Sequence, residues 1–518
     1  MRVTSTLTVT ALLSTLAACA TSSSSSNTPN DGGSTPNSDA GFASDVSSSV
    51  DATSGADASP GADATSGSDA PPGQDANAGA SPDANADANT DAELSGTKEA
   101  GSPESTDIVV GDTPLRRIDG FGASDAWSGT PFTAAQADMF FDPSKGIGLS
   151  LLRVGIGPTG DFMGGGEGTN AQLAAARGAA VWGTPWSPPL GDVTGANDGG
   201  YAGNINPADY TAWATTLATT FVATMKGLGV PLYGISAQNE PDFPASSYAS
   251  CTYTPAQMVA FIKVLGPLLA KADQTPPPKL LAPEPDVWSD FWGGTNNYAA
   301  AILADTTASS YVGVLATHDY NHQPVAIPTG RTVPQPIWET EVSGQSGTGN
   351  CDAVCAGPDF TIDNGIRVAQ WIYNAIVAGG ASAWHYWWLV SAGNDNGGIL
   401  PNSLATTKRL YTIGNFSKFV RPGYQLLALS GSAVPSGVQA VAFENPSNGG
   451  VALVAINMNT SATPLSFFVS GTSWPSQVTP WITSATLDLA AQTPISVTGA
   501  RFSASLAAQS VTTFVATP

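Results

Sequence analysis

The stretch Leu232-Tyr233-Gly234-Ile235-Ser236-Ala237-Gln238-Asn239-Glu240-Pro241 begins as an apolar, strand-forming run and ends in polar side chains. Further along the chain, Pro336-Ile337-Trp338-Glu339-Thr340-Glu341 has the same form. Short apolar runs bounded by polar residues and proline are typical of buried strands. The sequence therefore predicts two strands whose carboxyl ends carry Glu240 and Glu341.

Strand-like runs of this kind alternate with helix-like segments at 207–228, 255–272 and 364–378. Eight strands in such an alternation predict an α/β fold, a (β/α)8 TIM barrel, whose catalytic groups lie at the carboxyl ends of the strands. Glu240 then follows the fourth strand, and Glu341 closes the seventh. The eight predicted strands span 118–123, 150–156, 179–184, 232–238, 279–283, 312–317, 336–340 and 381–388.

The pattern changes after residue 418, where short strands separated by Gly, Pro, Asn and Ser replace the helices. This spacing is typical of a β-sandwich. The run 107–110 precedes the barrel, and we expect it to pair with these strands. We therefore predict a catalytic barrel over 106–417 and an attached side β-sandwich over 418–518. The predicted sandwich strands span 438–444, 451–458, 465–469, 478–483 and 511–516.

The amino terminus has the features of a bacterial export signal over residues 1–18, with Arg2 before a short apolar segment. Leu16-Ala17-Ala18-Cys19 resembles the lipobox of bacterial lipoproteins, which implies cleavage before Cys19 and a lipid anchor on its sulfur. The alternative is an ordinary signal peptide followed by an incidental cysteine. We expect an exported bacterial protein, lipid-anchored at the cell envelope or secreted.

Residues 19–105 consist mainly of Ser, Asp, Ala, Gly, Pro, Thr and Asn, and an aspartate recurs every six residues from Asp39 to Asp75. The intervening positions are small or polar, so the repeat has no apolar face to bury, and we predict a disordered stalk. Residues 20–105 contain 11 Asp, 3 Glu and 1 Lys, a net charge of −13 out of −23 for the chain. This acidity argues against a nucleic-acid partner.

Two carboxyl groups on separate strand ends are what retaining glycoside hydrolysis requires, because one protonates the leaving oxygen and the other attacks the anomeric carbon. We interpret Glu240 and Glu341 as this pair, against the alternative of two surface glutamates at strand ends. Tryptophans near strand ends suit the stacking of sugar rings, although core packing is the competing explanation for each. The predicted substrate-binding residues are Trp127, Trp186, Asn239, His318, Tyr320, Trp387 and Trp388.

Several ordered motifs give residues 106–518 a resemblance to glycoside hydrolase family 30, and within it to the bacterial glucuronoxylan endo-xylanases. The resemblance implies a retaining mechanism with Glu240 as acid/base and Glu341 as nucleophile. The motifs are Gly120-Phe121-Gly122, Leu152-Arg153-Val154, Pro185-Trp186-Ser187-Pro188-Pro189, Gln238-Asn239-Glu240-Pro241, His318-Asp319-Tyr320, Trp338-Glu339-Thr340-Glu341-Val342, Trp387-Trp388 and the run from Phe416 to Tyr424.

Glu339 complicates the choice of nucleophile, because residues two apart on an ideal strand point the same way. The family motif places the nucleophile after the threonine, hence at Glu341, and related enzymes often carry an apolar residue where Glu339 stands. A buried Glu339 would need a partner, which the sequence does not name. Glu284, after the fifth strand, is interpreted as a structural hydrogen-bonding group.

We predict neither a metal nor another cofactor, since His318 and His322 lack an evident third ligand. Export permits a disulfide. Cys351 with Cys355 is the first candidate, and Cys251 with either of them is the alternative.

The chain departs from the glucuronoxylan-specific pattern after Trp387-Trp388. Those relatives hold glucuronate with an arginine in this loop, but here no Arg or Lys occurs before Lys408, and Asp395 lies in the loop. Binding a carboxylate selectively requires a charge-assisted donor. We therefore expect a monomeric endo-β-1,4-xylanase that does not depend on glucuronate, unless a cation elsewhere, such as Arg331, has that role. The alternatives are a family-30 hydrolase of β-1,6-glucan or galactan and an inactive, surface-tethered polysaccharide-binding protein.

Overall fold

The computed structural model describes residues 102–195, 201–246, 248–344, 357–431, 434–471 and 476–516. The predicted signal peptide, Cys19, nearly all of the predicted stalk and the candidate cysteine pair at 351 and 355 lie outside these residues. Cys251 is buried and is a free thiol in the described part of the chain. No helix of the described residues is long and apolar enough to cross a membrane.

Eight parallel strands close into a barrel, which confirms the predicted fold class. The barrel order is β11-β10-β9-β7-β4-β3-β2-β12, and pairing of β11 with β12 closes it. Strands such as β3 are buried at every residue, as expected where helices cover a parallel sheet. In chain order the strands are β1 Ile108–Arg117, β2 Gly120–Ser124, β3 Leu151–Ile156, β4 Ala180–Pro185, β5 Val193–Thr194, β6 Gly203–Ile205, β7 Leu232–Ser236, β8 Cys251–Thr252, β9 Lys279–Pro283, β10 Val312–His318, β11 Ile337–Glu341, β12 Ala381–Val390 and β13 Gly398–Leu400.

Helices follow most barrel strands and bury one face against them. The helix starting at Pro255 has Thr254 as its N-cap in a capping box with Gln257, and its proline occupies the first turn, where no N–H is needed. A π-helical turn, Thr216–Phe221, joins α3 to α4, so that they form the single long helix expected there. The helices are α1 Ala134–Phe141, α2 Glu167–Ala175, α3 Tyr210–Thr215, α4 Val222–Gly227, α5 Pro255–Leu269, α6 Trp288–Phe291, α7 Tyr298–Ala304, α8 Thr306–Tyr311, α9 Ile362–Val377 and α10 Lys408–Ser417.

The side domain is a ten-stranded, mostly antiparallel sheet that folds over on itself as a sandwich. β1 joins this sheet from the amino-terminal side, and ring contacts such as Phe502–Phe514, 5.2 Å between centroids, hold distant strands face to face. Its remaining strands are β14 Gln425–Gly431, β15 Val438–Glu444, β16 Val451–Asn457, β17 Thr463–Val469, β18 Gln477–Thr483, β19 Ala490–Ala491, β20 Ile495–Ser496, β21 Arg501–Leu506 and β22 Ser510–Ala516.

The sandwich packs against the last two barrel helices. Val441, Val454 and Val511 of the sandwich belong to the same apolar core as the barrel. Asn415 of α10 donates from Nδ2 to the carbonyl of Trp481 at 3.0 Å. Barrel and sandwich are therefore parts of one compact unit.

Candidate active site

Glu240 and Glu341 meet at the carboxyl-end face of the barrel. Glu341 is the last residue of β11 and is paired in register with His318, the last residue of β10. Glu240 lies four residues after β7, and both glutamates are buried. One carboxyl oxygen of Glu240 and one of Glu341 lie within 4.8 Å of each other. The two strand ends that the sequence singled out therefore converge on one site.

Positive and neutral donors surround the carboxyl group of Glu341. Arg153 of β3 donates from Nη1 to Oε2, and the Tyr320 hydroxyl donates to Oε1 at 2.5 Å. Burial raises the pKa of Glu341, whereas the charges of His318 and Arg153 act in the opposite direction. These donors stabilise the ionised form that a nucleophile needs.

The carboxyl group of Glu240 has different neighbours. His318 lies 3.1 Å away, between Nδ1 and Oε1, and the Tyr248 hydroxyl donates to Oε2 at 3.3 Å. The backbone N–H of Glu240 donates to the carbonyl of Glu284 at 3.0 Å. Glu240 and Glu284 have positive φ angles of 43° and 70°. This backbone conformation is strained, and such strain is concentrated at functional sites.

His318 lies between three carboxylates. Its Nε2 is 3.5 Å from Oε1 of Glu284 and 3.7 Å from Oε2 of Glu341, while Nδ1 faces Glu240. Burial opposes a charge on the ring, but these carboxylates outweigh it and raise the pKa of His318 well above its usual value. The surrounding carboxylates therefore favour the imidazolium form of His318, which lies between the two candidate catalytic groups.

Arg153 is a site residue to which the sequence analysis gave no role. It is fully buried in β3, and besides Glu341 it contacts Asn239, whose Oδ1 accepts from Nη2 at 2.6 Å. Its Nη2 also lies 3.0 Å from Oε1 of Glu284, and although burial raises the pKa of Glu284, Arg153 and His318 together lower it. An arginine inside an apolar strand is a readable signal, because a buried charge requires partners.

The four predicted tryptophans form one cluster beside these charges. The Trp127 ring lies 4.7 Å from that of Trp186 and 5.8 Å from that of Trp387, and Trp387 stacks on Trp388 at 4.7 Å. The guanidinium of Arg153 lies 4.6 Å from the centre of the Trp186 ring. Trp186 is 1% exposed, whereas Trp127 and Trp388 remain partly exposed and can offer a ring face to a sugar.

Glu339 is fully buried beneath Glu341, and its partners are backbone groups. Its Oε1 accepts from the N–H of Glu341 at 3.0 Å, and its Oε2 accepts from the N–H of His385 at 3.2 Å. Burial, and then the charge of Asp319, raise the pKa of Glu339 well above its usual range. Both carboxyl oxygens of Glu339 are therefore occupied by backbone donors, and the side chain is shielded from solvent.

Other residues on this face had no role in the sequence analysis. Tyr248 reaches Glu240, and Phe243, three residues after Glu240, is 43% exposed beside it. Burial, and then the charge of Glu240, raise the pKa of Asp286 to about 7. These residues lie in loops, where sequence periodicity is uninformative.

Among the described residues, Glu240, His318 and Glu341 are grouped closely enough to ligate a metal ion. The oxygens of Glu341 already accept hydrogen bonds from Arg153 and Tyr320, and these donors compete with a metal ion for the same lone pairs. His322 is not part of the group and stacks on Trp371 at 4.2 Å.

Known proteins are similar to this chain in sequence and in fold. The model of the glycosyl hydrolase family 30 TIM-barrel domain matches residues 169–347. Glucuronoxylanase XynC of Bacillus subtilis strain 168 is 32% identical over 423 residues, which cover 79% of this chain and 92% of that protein. The crystal structure of Xyn30A from Clostridium acetobutylicum, a glycoside hydrolase family 30 subfamily 8 xylanase, has a TM-score of 0.69 at 31% identity and covers 80% of this chain and 100% of that one.

A more distant relative has a different substrate in its name. Endo-1,6-beta-D-glucanase neg1 of Aspergillus fumigatus is 26% identical over 345 residues, 58% of this chain and 64% of that protein. These similarities, together with a converging carboxyl pair beside a tryptophan cluster at the barrel's carboxyl-end face, identify the protein as a glycoside hydrolase. Across nearly the whole length of its bacterial relatives, the chain belongs to glycosyl hydrolase family 30.

Proposed function

We propose that this protein is a retaining endo-β-1,4-xylanase that does not depend on glucuronate branches. The observation that supports a retaining mechanism is the separation of less than 4.8 Å between carboxyl oxygens of Glu240 and Glu341. Retaining enzymes hold their two carboxyl groups about 5–5.5 Å apart, whereas inverting enzymes leave about 6.5–9.5 Å for a water molecule. A gap this short favours direct attack by the carboxylate on the sugar.

In the first step Glu240 gives its proton to the glycosidic oxygen while Glu341 attacks the anomeric carbon, forming a glycosyl ester as the glycosidic bond breaks. In the second step Glu240 takes a proton from water, which attacks the same carbon and releases Glu341. Two inversions give a product of β configuration. The oxygen of Asn239 accepts from Arg153, which leaves its NH2 group to donate to the sugar 2-hydroxyl.

The charges of the site suit these two reaction steps. Arg153 and the His318 imidazolium together carry two positive charges beside Glu284, Glu341 and Glu240. Glu341, with the guanidinium and the tyrosine hydroxyl, has the stronger donors to its ionised form, and Glu240 is left as the acid.

Xylan is the proposed substrate because the bacterial relatives that align over most of the chain are named for it. Independence from glucuronate is supported by the loop after β12. Arg409 of α10 contacts the end of this loop, where its Nε donates to the carbonyl of Gly398 at 2.8 Å. Its side chain is fully buried and is therefore not exposed to a substrate. Asp395 in the same loop accepts from the Gly397 N–H at 2.9 Å and adds negative charge.

Arg331 is the remaining candidate for a glucuronate contact. Its side chain lies in the loop after β10, and its guanidinium is 5.6 Å from the centre of the Trp292 ring. Arg331→Gln is therefore the control variant for branch recognition. If the proposal holds, this substitution changes the rates on glucuronoxylan and on unbranched xylan equally.

Product analysis on glucuronoxylan, arabinoxylan, linear xylan, xylo-oligosaccharides and β-1,6-glucan tests the proposal. We expect comparable rates on glucuronoxylan and unsubstituted xylan, and proton NMR should detect the β anomer first. A strong preference for glucuronoxylan, with glucuronate at a fixed position in every product, would refute branch independence. Initial release of the α anomer would refute retention.

Hydrolysis of a β-1,6-glucan is the alternative, supported by the similarity to the Aspergillus fumigatus enzyme. Turnover of β-1,6-glucan without turnover of xylan would favour it. An inactive polysaccharide-binding protein is disfavoured by the complete set of donors around Glu240 and Glu341, which binding alone does not require.

We also propose that Cys19 carries a lipid and that residues 19–105 form a stalk holding the enzyme at the cell envelope. The support for this comes from the amino-terminal sequence, with its short apolar segment, its lipobox-like residues and its polar, acidic repeat.

A further inference from the structure

The seam at which the barrel closes has an unusual construction directly behind Glu341. Where β11 and β12 pair, Ile337 lies opposite Ala381 and Trp338 lies opposite Ala383. At the next position the two strands are connected by the side chain of Glu339 and not by a hydrogen bond between their backbones. Its carboxyl oxygens accept one hydrogen bond from each strand. The backbone N–H of Glu341 donates to Oε1 at 3.0 Å, and that of His385 donates to Oε2 at 3.2 Å.

The ring of His385 strengthens the same connection. Burial lowers the pKa of His385 to about 3, so the ring is neutral, and its Nδ1 donates to the carbonyl of Glu339 at 2.9 Å. The other ring nitrogen, Nε2, accepts from Trp182 Nε1 at 3.2 Å, which fixes this tautomer. Glu339 is therefore held through both its carbonyl and its carboxyl group.

We propose that Glu339 is a positioning residue, whose carboxyl group fixes the backbone at Glu341 and so directs the nucleophile towards the anomeric carbon. This inference rests on the proposed role of Glu341 as nucleophile. A carboxyl group fits the role because it has two oxygens that can accept from two buried N–H groups at once. An apolar side chain would leave both donors unpaired, and buried backbone donors are almost always paired.

The charge state of Glu339 is compatible with this role. The titratable groups that face it are Asp319, His318, His385 and Glu341, and burial with the charge of Asp319 favours its protonated form. A neutral carboxyl group still accepts both hydrogen bonds through its oxygens. It also places no negative charge beside a nucleophile that must itself be ionised.

Comparison of Glu339→Met with Glu339→Gln tests the proposal, on whichever polysaccharide the wild-type enzyme hydrolyses fastest. The methionine variant keeps the length of the side chain without an acceptor, and we expect kcat to fall about a hundredfold, as for a displacement of about 1 Å, with KM within about twofold. The glutamine variant keeps one acceptor, and we expect a loss of about two- to tenfold in kcat. Its kcat/KM profile should keep the wild-type acidic limb, because a neutral amide replaces a neutral acid.

Thermal unfolding is measured for both variants alongside the kinetics, and amide hydrogen exchange is measured in the peptide 337–342. A folded methionine variant with kcat within twofold of wild type, or with its loss confined to KM, overturns the proposal. An acidic limb displaced in the glutamine variant also overturns it, since Glu339 would then act through its charge. If the methionine variant does not fold, the glutamine variant decides, and a wild-type kcat overturns the proposal. Failure of the proposed function is distinguishable, because it would appear in the wild-type enzyme, as initial release of the α anomer or as turnover of β-1,6-glucan without turnover of xylan.

Discussion

Nδ1 of His318 lies 3.1 Å from Oε1 of Glu240, so the proposed acid/base pairs with an imidazolium. The opposite nitrogen of the same ring faces Glu341 at 3.7 Å. One positive charge thus lies between the proposed acid/base, which releases and regains a proton during the reaction, and the proposed nucleophile, which forms and releases the glycosyl ester. Preorganised charges of this kind are often the largest contribution to catalysis.

His318→Asn should lower kcat by about 10²–10³-fold, since it removes a preorganised charge from the site. The charge of His318 acts to lower the pKa of Glu341, so its removal should raise that pKa. The acidic limb of the kcat/KM profile should then move to higher pH. Thermal unfolding checks that the variant is folded. A limb that stays in place or moves to lower pH would contradict the bridging role.

Glu341→Gln should reduce turnover by at least about four orders of magnitude while leaving the fold intact, because an amide cannot form the glycosyl ester. Glu339→Gln is the matched control on the same strand and should retain measurable activity. Kinetics on the best substrate and thermal unfolding of both variants check this prediction. The nucleophile assignment is wrong if the control is inactive and Glu341→Gln is active.

Trp127→Ala and Trp186→Ala should have different effects. Trp127 is partly exposed, and its loss should raise KM about tenfold, as for a stacking contact of about 1.4 kcal/mol, with little change in Tm. Trp186 is buried against Arg153, and its loss should destabilise the fold by about 3–5 kcal/mol. Similar effects of the two variants on KM and Tm would show that these tryptophans are not divided into binding and core roles.

Stability should fall as pH rises from about 4 to 8. Burial raises the pKa of Asp319 from 3.8 to about 8, so in this window the native state binds a proton that the unfolded state releases. The free energy of unfolding then falls by up to about 1.4 kcal/mol per pH unit for such a group. Tm should be higher at pH 5 than at pH 8, and Asp319→Asn should reduce the difference.

Asp107 provides the opposite control for this measurement. Its hydrogen bonds with Arg501 lower its pKa to about 2, so its contribution is present above pH 4 and is lost on acidification. Asp107→Asn should therefore lower Tm equally at pH 5 and pH 8. A Tm that rises between these values in the wild-type protein would contradict the buried-acid account.

Cys19→Ala should release the protein from membranes, because the sulfur that would carry the lipid is absent. Fractionation of expressing bacteria measures this directly. Deletion of residues 20–105 should leave kcat/KM on soluble substrate nearly unchanged, since a disordered tether makes no core contacts. Retention of the Cys19→Ala variant in the membrane fraction would refute the lipid anchor.

Periodicity and strand ends were sufficient to predict the barrel, since each of the eight strands is a short apolar run bounded by polar residues. Lys279–Pro283 was predicted with its observed bounds, and the others differ by a few residues at their ends. The sandwich strands Gln425–Gly431 and Arg501–Leu506 were missed. Arg501–Leu506 alternates polar residues with Phe502, Ala504 and Leu506, so its own composition has the period of a strand, and it pairs with Thr463–Val469.

The sequence by itself determined which residues could perform the chemistry, because strand-end glutamates and tryptophans are local features. Only the tertiary structure decided how their charges are balanced. Arg153 and His318 come from β3 and β10, yet both reach Glu341, and closure of the barrel is what brings them within range. Electrostatic interactions depend on distances in space and on burial, and neither quantity can be read from positions along a chain.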